Sequence, residues 1–316
     1  MISQLFNSEK TVTTQNKILI AVLVLAAIGG SIATFVKLGV VVIPPLTFTF
    51  LRFFVAALCM LPFISKEIRQ QGFHQLSGAI GISLLAVANV VIFAFGVRHT
   101  TAVISSLMYA TGPLMIALLS YFWLKERFSL RKTLGILLGF LGVAYLVILP
   151  VFSKGADFSG TLFGNVTVLL AVICFVLYIV FSKRYQARFS APVMAFVFAV
   201  TASVVLLPFV IIDWYAHPGW IGQVNSLTLL SVGYVGILGG AIFYLLYQKV
   251  IQKASPVIAS MNLFIQPISA YISGLIFLKE KLITGVVIGA VAALIGAWLV
   301  TTDKNKKADN AGITRG

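Results

Sequence analysis

The chain has 316 residues, of which 60% are hydrophobic and 10% charged, with 23 Lys and Arg against 8 Asp and Glu and a formal net charge of +15. A soluble domain runs at about 45–50% apolar and about 25% charged. This chain therefore lacks the charge to coat a water-facing surface, and its two cysteines exclude a disulfide-stapled secreted domain. The basic excess would suggest nucleic acid in a soluble domain; in so apolar a chain it reads as topology charge, and no nucleic-acid partner is expected.

A helix needs about 20 apolar residues to cross a bilayer. After a polar tail at 1–17, ten stretches meet that need: 18–35, 46–64, 77–97, 102–124, 133–149, 161–181, 192–212, 227–248, 256–278 and 282–301. A second polar tail follows at 302–316. The connections are short and hold most of the charges, so no soluble domain fits between spans. The first apolar run is too long for a signal-peptide core and is expected to be retained. With the N-terminal tail placed in the cytoplasm, 17 Lys and Arg fall on the inner side and 5 on the outer, and Arg52 lies within a span. Both termini are thus expected inside.

The chain repeats itself. Leu124-Lys125-Glu126 recurs as Leu278-Lys279-Glu280, an offset of 154. At the same offset Pro113 matches Pro267, Ser106 matches Ser260, and Gly135 and Gly142 match Gly289 and Gly296. The sequence therefore divides into a five-span repeat at 18–149, a linker at 150–160 and a second five-span repeat at 161–301. Five is odd, so the second copy enters the membrane inverted. The expected fold is all-α and integral to the membrane, ten transmembrane helices in two inverted five-helix repeats, the plan of many secondary transporters.

These residues also carry a resemblance. Pro45 to Phe53, Thr101 to Leu107 leading to Pro113 and Lys125-Glu126-Arg127, Gly164-Asn165 through Tyr178 to Arg184, and Pro256 through Pro267 to Lys281 resemble the drug/metabolite transporter superfamily with two EamA-type domains. The resemblance spans nearly the whole chain. It implies a transporter, not an enzyme, in a bacterial plasma (inner) membrane, acting on a small-molecule substrate and most simply exporting amino acids or related metabolites. Members often carry Trp-Gly in the first span; Ile28-Gly29 stands there in this chain, so that aromatic contact does not carry over.

Chemistry inside the membrane centres on Arg52, about 9 Å into its span at 1.5 Å per residue. An arginine at the middle of a bilayer costs about 2.5–3.5 kcal/mol on insertion scales. It is read either as an anchor for a substrate carboxylate or as a side chain snorkelling to the interface. Uncharged mid-span groups complete the expected substrate site: Asn89, Tyr109, Tyr178, Tyr234, Tyr244, Asn262 and Gln266, each of which could instead join two helices. Asn262 and Gln266 are one turn apart, beside a carbonyl of Leu263 that Pro267 frees. Structural roles are expected for Pro113, Pro267, the hairpin acids Glu126 and Glu280, and the small-residue faces of Gly135 with Gly139 and Gly285 with Gly289. No Asp or Glu lies mid-span and the three histidines are scattered, so no metal is expected. Without a Walker A sequence, no nucleotide cofactor is expected either. Alternatives are uptake or exchange of another polar metabolite, an integral-membrane enzyme (for which no metal or nucleophile motif is found), and a channel. A homodimer is a possible assembly.

Overall fold

A computed structural model describes residues 2–69, 73–124, 129–152, 159–186, 188–217, 219–254, 256–281 and 284–301. Among them every long element is helical: α1 (Ile2–Val42), α2 (Pro45–Arg69), α3 (Phe73–Val97), α4 (Ala102–Tyr109), α5 (Gly112–Leu124), α6 (Leu130–Phe152), α7 (Leu162–Tyr185), α8 (Ala191–Ala216), α9 (Ser226–Tyr234), α10 (Phe243–Lys253), α11 (Pro256–Ser260), α12 (Asn262–Leu278) and α13 (Thr284–Thr301). A π-helical stretch, Val235–Ile242, joins α9 to α10. The tail expected at 1–17 is, from residue 2 on, the first part of α1. Glu126 lies outside the described residues.

The boundaries follow from local chemistry. Pro45 sits at the start of α2, where a missing N–H costs nothing. Thr101, Thr161, Ser190 and Asn225 cap α4, α7, α8 and α9, each side-chain oxygen accepting from the backbone N–H three residues on.

Among the described residues seven helices are long and apolar enough to cross a membrane, and three shorter apolar helices accompany them at Ala102–Ile116, Thr133–Leu149 and Thr284–Gly296. Their outer faces leave Leu137, Leu141, Val204, Ile276 and Ile288 more than half exposed. In water such a surface would aggregate; in hydrocarbon it is the stable one, and the protein is a multi-pass membrane protein.

Three spans expected to be uniform are not. The stretch at 102–124 breaks after Tyr109 and resumes at Gly112. Pro113 supplies no N–H to continue the helix, and Thr111 turns the chain by donating both its N–H (3.1 Å) and its hydroxyl (2.6 Å) to the Met108 carbonyl. The stretch at 256–278 breaks at Met261, between α11 and α12, where the Asn262 amide donates to the Ala259 carbonyl. Pro267 lies inside α12, which continues past it; lacking an N–H, it cannot donate to the Leu263 carbonyl one turn back. The span expected at 227–248 carries the π-helical stretch, whose wider turns often mark functional sites.

Packing interleaves the two halves of the sequence. The most extensive contacts run between α1 and α12, α2 and α8, α3 and α7, and α6 and α13. Small residues set how close these pairs come. A Cβ on Gly142 would lie 2.5 Å from the Ala293 nitrogen, and one on Gly296 would lie 2.5 Å from the Gly135 oxygen and the Gly139 Cα. Leu146 and Leu149 of α6 cover Gly289 and Gly285 of α13. Gly135, Gly139, Gly285 and Gly289 thus lie in the α6–α13 seam.

Between α1 and α12 two adjacent glycines differ in what faces them. A Cβ on Gly30 would meet the backbone carbonyl of Gln266 and the Ala270 nitrogen, the latter at 2.8 Å. A Cβ on Gly29 would meet the side-chain amide of Gln266 and the Phe243 ring, its nearest ring atom at 2.9 Å. Backbone cannot yield as a side chain can. Gly30→Ala is therefore expected to force α1 from α12 at a cost of about 1–3 kcal/mol and to lower the apparent Tm in detergent. Gly29→Ala should leave Tm nearly unchanged while displacing Gln266. Equal losses of Tm would refute the distinction.

Candidate functional site

The interleaved helices line a partly open cavity whose space between atoms, open solvent at its mouth included, is about 520 Å³. Residues from before and after the midpoint of the chain line it. From the first half come Gly29, Ile32 and Ala33 of α1, Arg52 of α2, Asn89, Val90 and Phe93 of α3, and Ser105, Ser106 and Tyr109 of α4. The second half supplies Phe175 of α7, Phe243 and Tyr244 of α10, and Leu263 and Gln266 of α12.

Arg52 is 3% exposed. Its guanidinium carbon lies 4.6 Å from the centroid of the Phe53 ring, and its Nε is buried with no hydrogen-bond partner. The side chain is enclosed by protein and does not snorkel to an exposed interface. Among the described residues no carboxylate pairs with it. The acids whose side chains are described are both engaged elsewhere. Asp213 accepts from the Thr47 hydroxyl (2.8 Å) and N–H (3.2 Å), and Glu280 lies at the Lys37 contact described below. A buried charge ordinarily has a partner, so Arg52 holds unused donor capacity inside the cavity.

The π-helical stretch brings α2 close at this level. Cβ atoms on Gly236 and Gly240 would lie 2.8 Å from Val55 and Ala56 side-chain atoms respectively, and both glycines approach the Arg52 carbonyl oxygen. These glycines therefore pack against the helix that carries the charge.

Five of the eight expected substrate-site residues line the cavity: Arg52, Asn89, Tyr109, Tyr244 and Gln266. The Asn89 amide donates to the Ala171 carbonyl (2.8 Å) and the Tyr109 hydroxyl (2.5 Å), so its two hydrogens are used in holding Tyr109 and α7. Gln266 donates to the Asn262 side-chain oxygen at 2.5 Å. Asn262 is wholly buried behind it and does not line the space.

The other two expected residues hold helices together. Tyr178 accepts from the Gln248 amide at 2.7 Å, joining α7 to α10. Tyr234 shares a 2.6 Å hydrogen bond with Ser31 and stacks on Phe35 with ring centroids 4.1 Å apart, joining α9 to α1.

Sequence reasoning passed over Ser105, Ser106, Phe93, Phe175 and Phe243. Ser106 Oγ is buried without a partner. A signal for the serine existed, since Ser106 precedes Tyr109 by three positions and so shares its face of α4. The phenylalanines are indistinguishable from core residues by type.

At one end of the fold, Glu280 is buried at 5% exposure. The structural role expected of Glu280 as a hairpin acid reaches beyond its own hairpin. Glu280 forms a 3.0 Å ion pair with Lys37 of α1, and both its oxygens accept from the Ala102 N–H at 3.0 Å, the first turn of α4. Lys37 also donates to the Thr100 carbonyl at 2.7 Å. Lys279 makes this reach feasible by adopting left-handed backbone (φ 55°) at the end of α12.

The model of the EamA-like transporter family matches residues 16–148 and again residues 162–302. The chain belongs to this family. Several relatives carry transporter names. YoaV of Bacillus subtilis, an uncharacterized transporter, is 27% identical over 298 residues, covering 90% of this chain and 97% of its own. YetK of the same organism, also an uncharacterized transporter, is 29% identical over 90% of this chain and 86% of its own. The uncharacterized inner membrane transporter YedA of Escherichia coli is 27% identical over 80% of each chain. A solved crystal structure shares the fold with a TM-score of 0.62 at 15% identity, covering 90% of this chain and 97% of that one. This EamA-like protein is accordingly a membrane transporter, and its cavity is built from both matched segments.

Proposed function

We propose that the protein is a secondary transporter that moves a small carboxylated solute by alternating access, exporting amino acids or related metabolites across a bacterial inner membrane. The observation that carries this reading is Arg52, buried at a cavity wall with its Nε unpartnered. Forked guanidinium donors match a carboxylate. In this reading the seven long and three shorter apolar helices form two inverted five-helix repeats, with both termini cytoplasmic. The two separate family matches and the 154-residue offset of Leu124-Lys125-Glu126 to Leu278-Lys279-Glu280 support it. So does the position of a site at the interface of the two halves, beside the broken α4–α5 and α11–α12 helices.

Alternating access also needs a contact that can break at one end. The Lys37–Glu280–Ala102 cluster ties α1, α4 and the end of α12 together, and in this reading it is the outer closure. Counterflow of labelled amino acids and their deaminated acids in proteoliposomes tests the function. Wild type should exchange at least one carboxylated solute, and exchange of none would refute it. Topology is tested by single cysteines on a background lacking Cys59 and Cys174. A probe at Lys281 should be labelled by an impermeant reagent from outside, and one at Lys125 should not. Equal or reversed labelling would overturn the inverted arrangement.

A further inference from the structure

Building on the transporter reading above, and narrowing its amino acids or related metabolites to the latter, we infer that the cavity selects a monoanionic aromatic carboxylate without an ammonium group. The polar groups at its wall are matched to an anion. Arg52 Nε has no partner, and neither does the Ser106 hydroxyl. Tyr109 accepts from Asn89, which leaves its own hydroxyl hydrogen free to be donated. Arg52 can only donate, and the two hydroxyls can donate as well, so all three can serve a carboxylate.

The complementary requirement of an α-amino acid is unmet. No carboxylate is among the cavity-lining residues, and the described acids Asp213 and Glu280 are held by Thr47 and by Lys37 with Ala102. Gln266 and Asn89 use their NH2 groups on Asn262 and on Tyr109 with Ala171, so they offer an ammonium neutral amide oxygens and no countercharge. An ammonium brought here would lose its water without gaining a counterion, and it would share a low-dielectric space with the like charge of Arg52. Aromatic faces attract cations, but that attraction competes with the same repulsion. A single guanidinium likewise provides for one negative charge and not two.

The rest of the wall suits a flat apolar body. Phe93 and Phe175 stand edge-on to Tyr109 at 5.6 and 5.5 Å between centroids, and Phe243 stands edge-on to Tyr244 at 5.5 Å. Rings inserted among them meet edges and faces in the favoured offset and T-shaped arrangements.

A matched set of ligands tests the inference on the full chain, purified in detergent and in proteoliposomes: 3-phenylpropionate, phenylalanine, 3-phenylpropanamide and phenethylamine, with chloride at equal ionic strength as the inorganic control. The acid is expected to raise the apparent Tm at concentrations at least tenfold below those needed for the other three. Arg52→Gln should erase the advantage of the acid over its amide, and Arg52→Lys should restore part of it. Phenylalanine or phenethylamine equalling the acid, chloride reproducing its shift, or none of the four binding would each overturn the inference. Selective exchange of phenylalanine would do so while leaving the transporter reading intact. Conversely, selective stabilisation by 3-phenylpropionate with no exchange of any ligand across the membrane would uphold the ligand class and refute transport.

Discussion

Arg52→Gln is expected to weaken binding of a carboxylated substrate by roughly 10- to 150-fold, the loss of a charge-assisted bond of about 1.5–3 kcal/mol, without lowering the apparent Tm. The second half of this expectation separates function from structure. A paired buried arginine is costly to remove because its partner is left charged and alone. Arg52 has no carboxylate partner among the described residues, and its Nε has no hydrogen-bond partner. Removing it relieves a desolvated charge and sacrifices mainly the contact with the Phe53 ring. Substrate uptake into vesicles gives the affinity, and intrinsic fluorescence during heating gives the Tm. A variant that binds normally but melts early would show that Arg52 is a packing group.

Glu280→Ala is expected to destabilise the protein more than any other single change at that end of the fold, by about 2–3 kcal/mol. Breaking a buried ion pair costs about 3–5 kcal/mol. Lys37 is 22% exposed, so solvent screening reduces the figure. The loss is larger than that of the ion pair alone, because the Ala102 N–H also loses its acceptor at the positive end of α4. Lys37→Met should cost less, since the carboxylate keeps the helix terminus as a partner. The double variant Lys37→Met with Glu280→Gln should be less destabilised than the two single losses added together. Simple additivity of the apparent Tm changes would mean that the pair does not act as a unit.

Much of this was readable beforehand, for physical reasons that differ by residue. Arg52 stood out because a charge in an apolar run is expensive, and the structure puts it at the cavity wall. Asn89, Tyr109, Tyr244 and Gln266 were legible as polar groups in hydrocarbon. By the same criterion Tyr178, Tyr234 and Asn262 looked identical, yet they bond Gln248, Ser31 and Ala259 with Gln266. A polar side chain inside a membrane must find a partner, but its type does not say whether that partner is protein or solute.

The apolar content by itself determined a membrane protein, because too few charges exist to face water. Prolines and caps determined several helix starts, because they act on neighbouring backbone groups. Only the tertiary structure decided which face of each helix met the cavity, since lipid-facing and core-facing surfaces are equally apolar and the periodicity that separates them in water is lost. It also decided the partners of Glu280. The choice between a neighbouring lysine and a lysine some 240 positions away depends on how α12 packs along α1, and no local sequence rule encodes that packing.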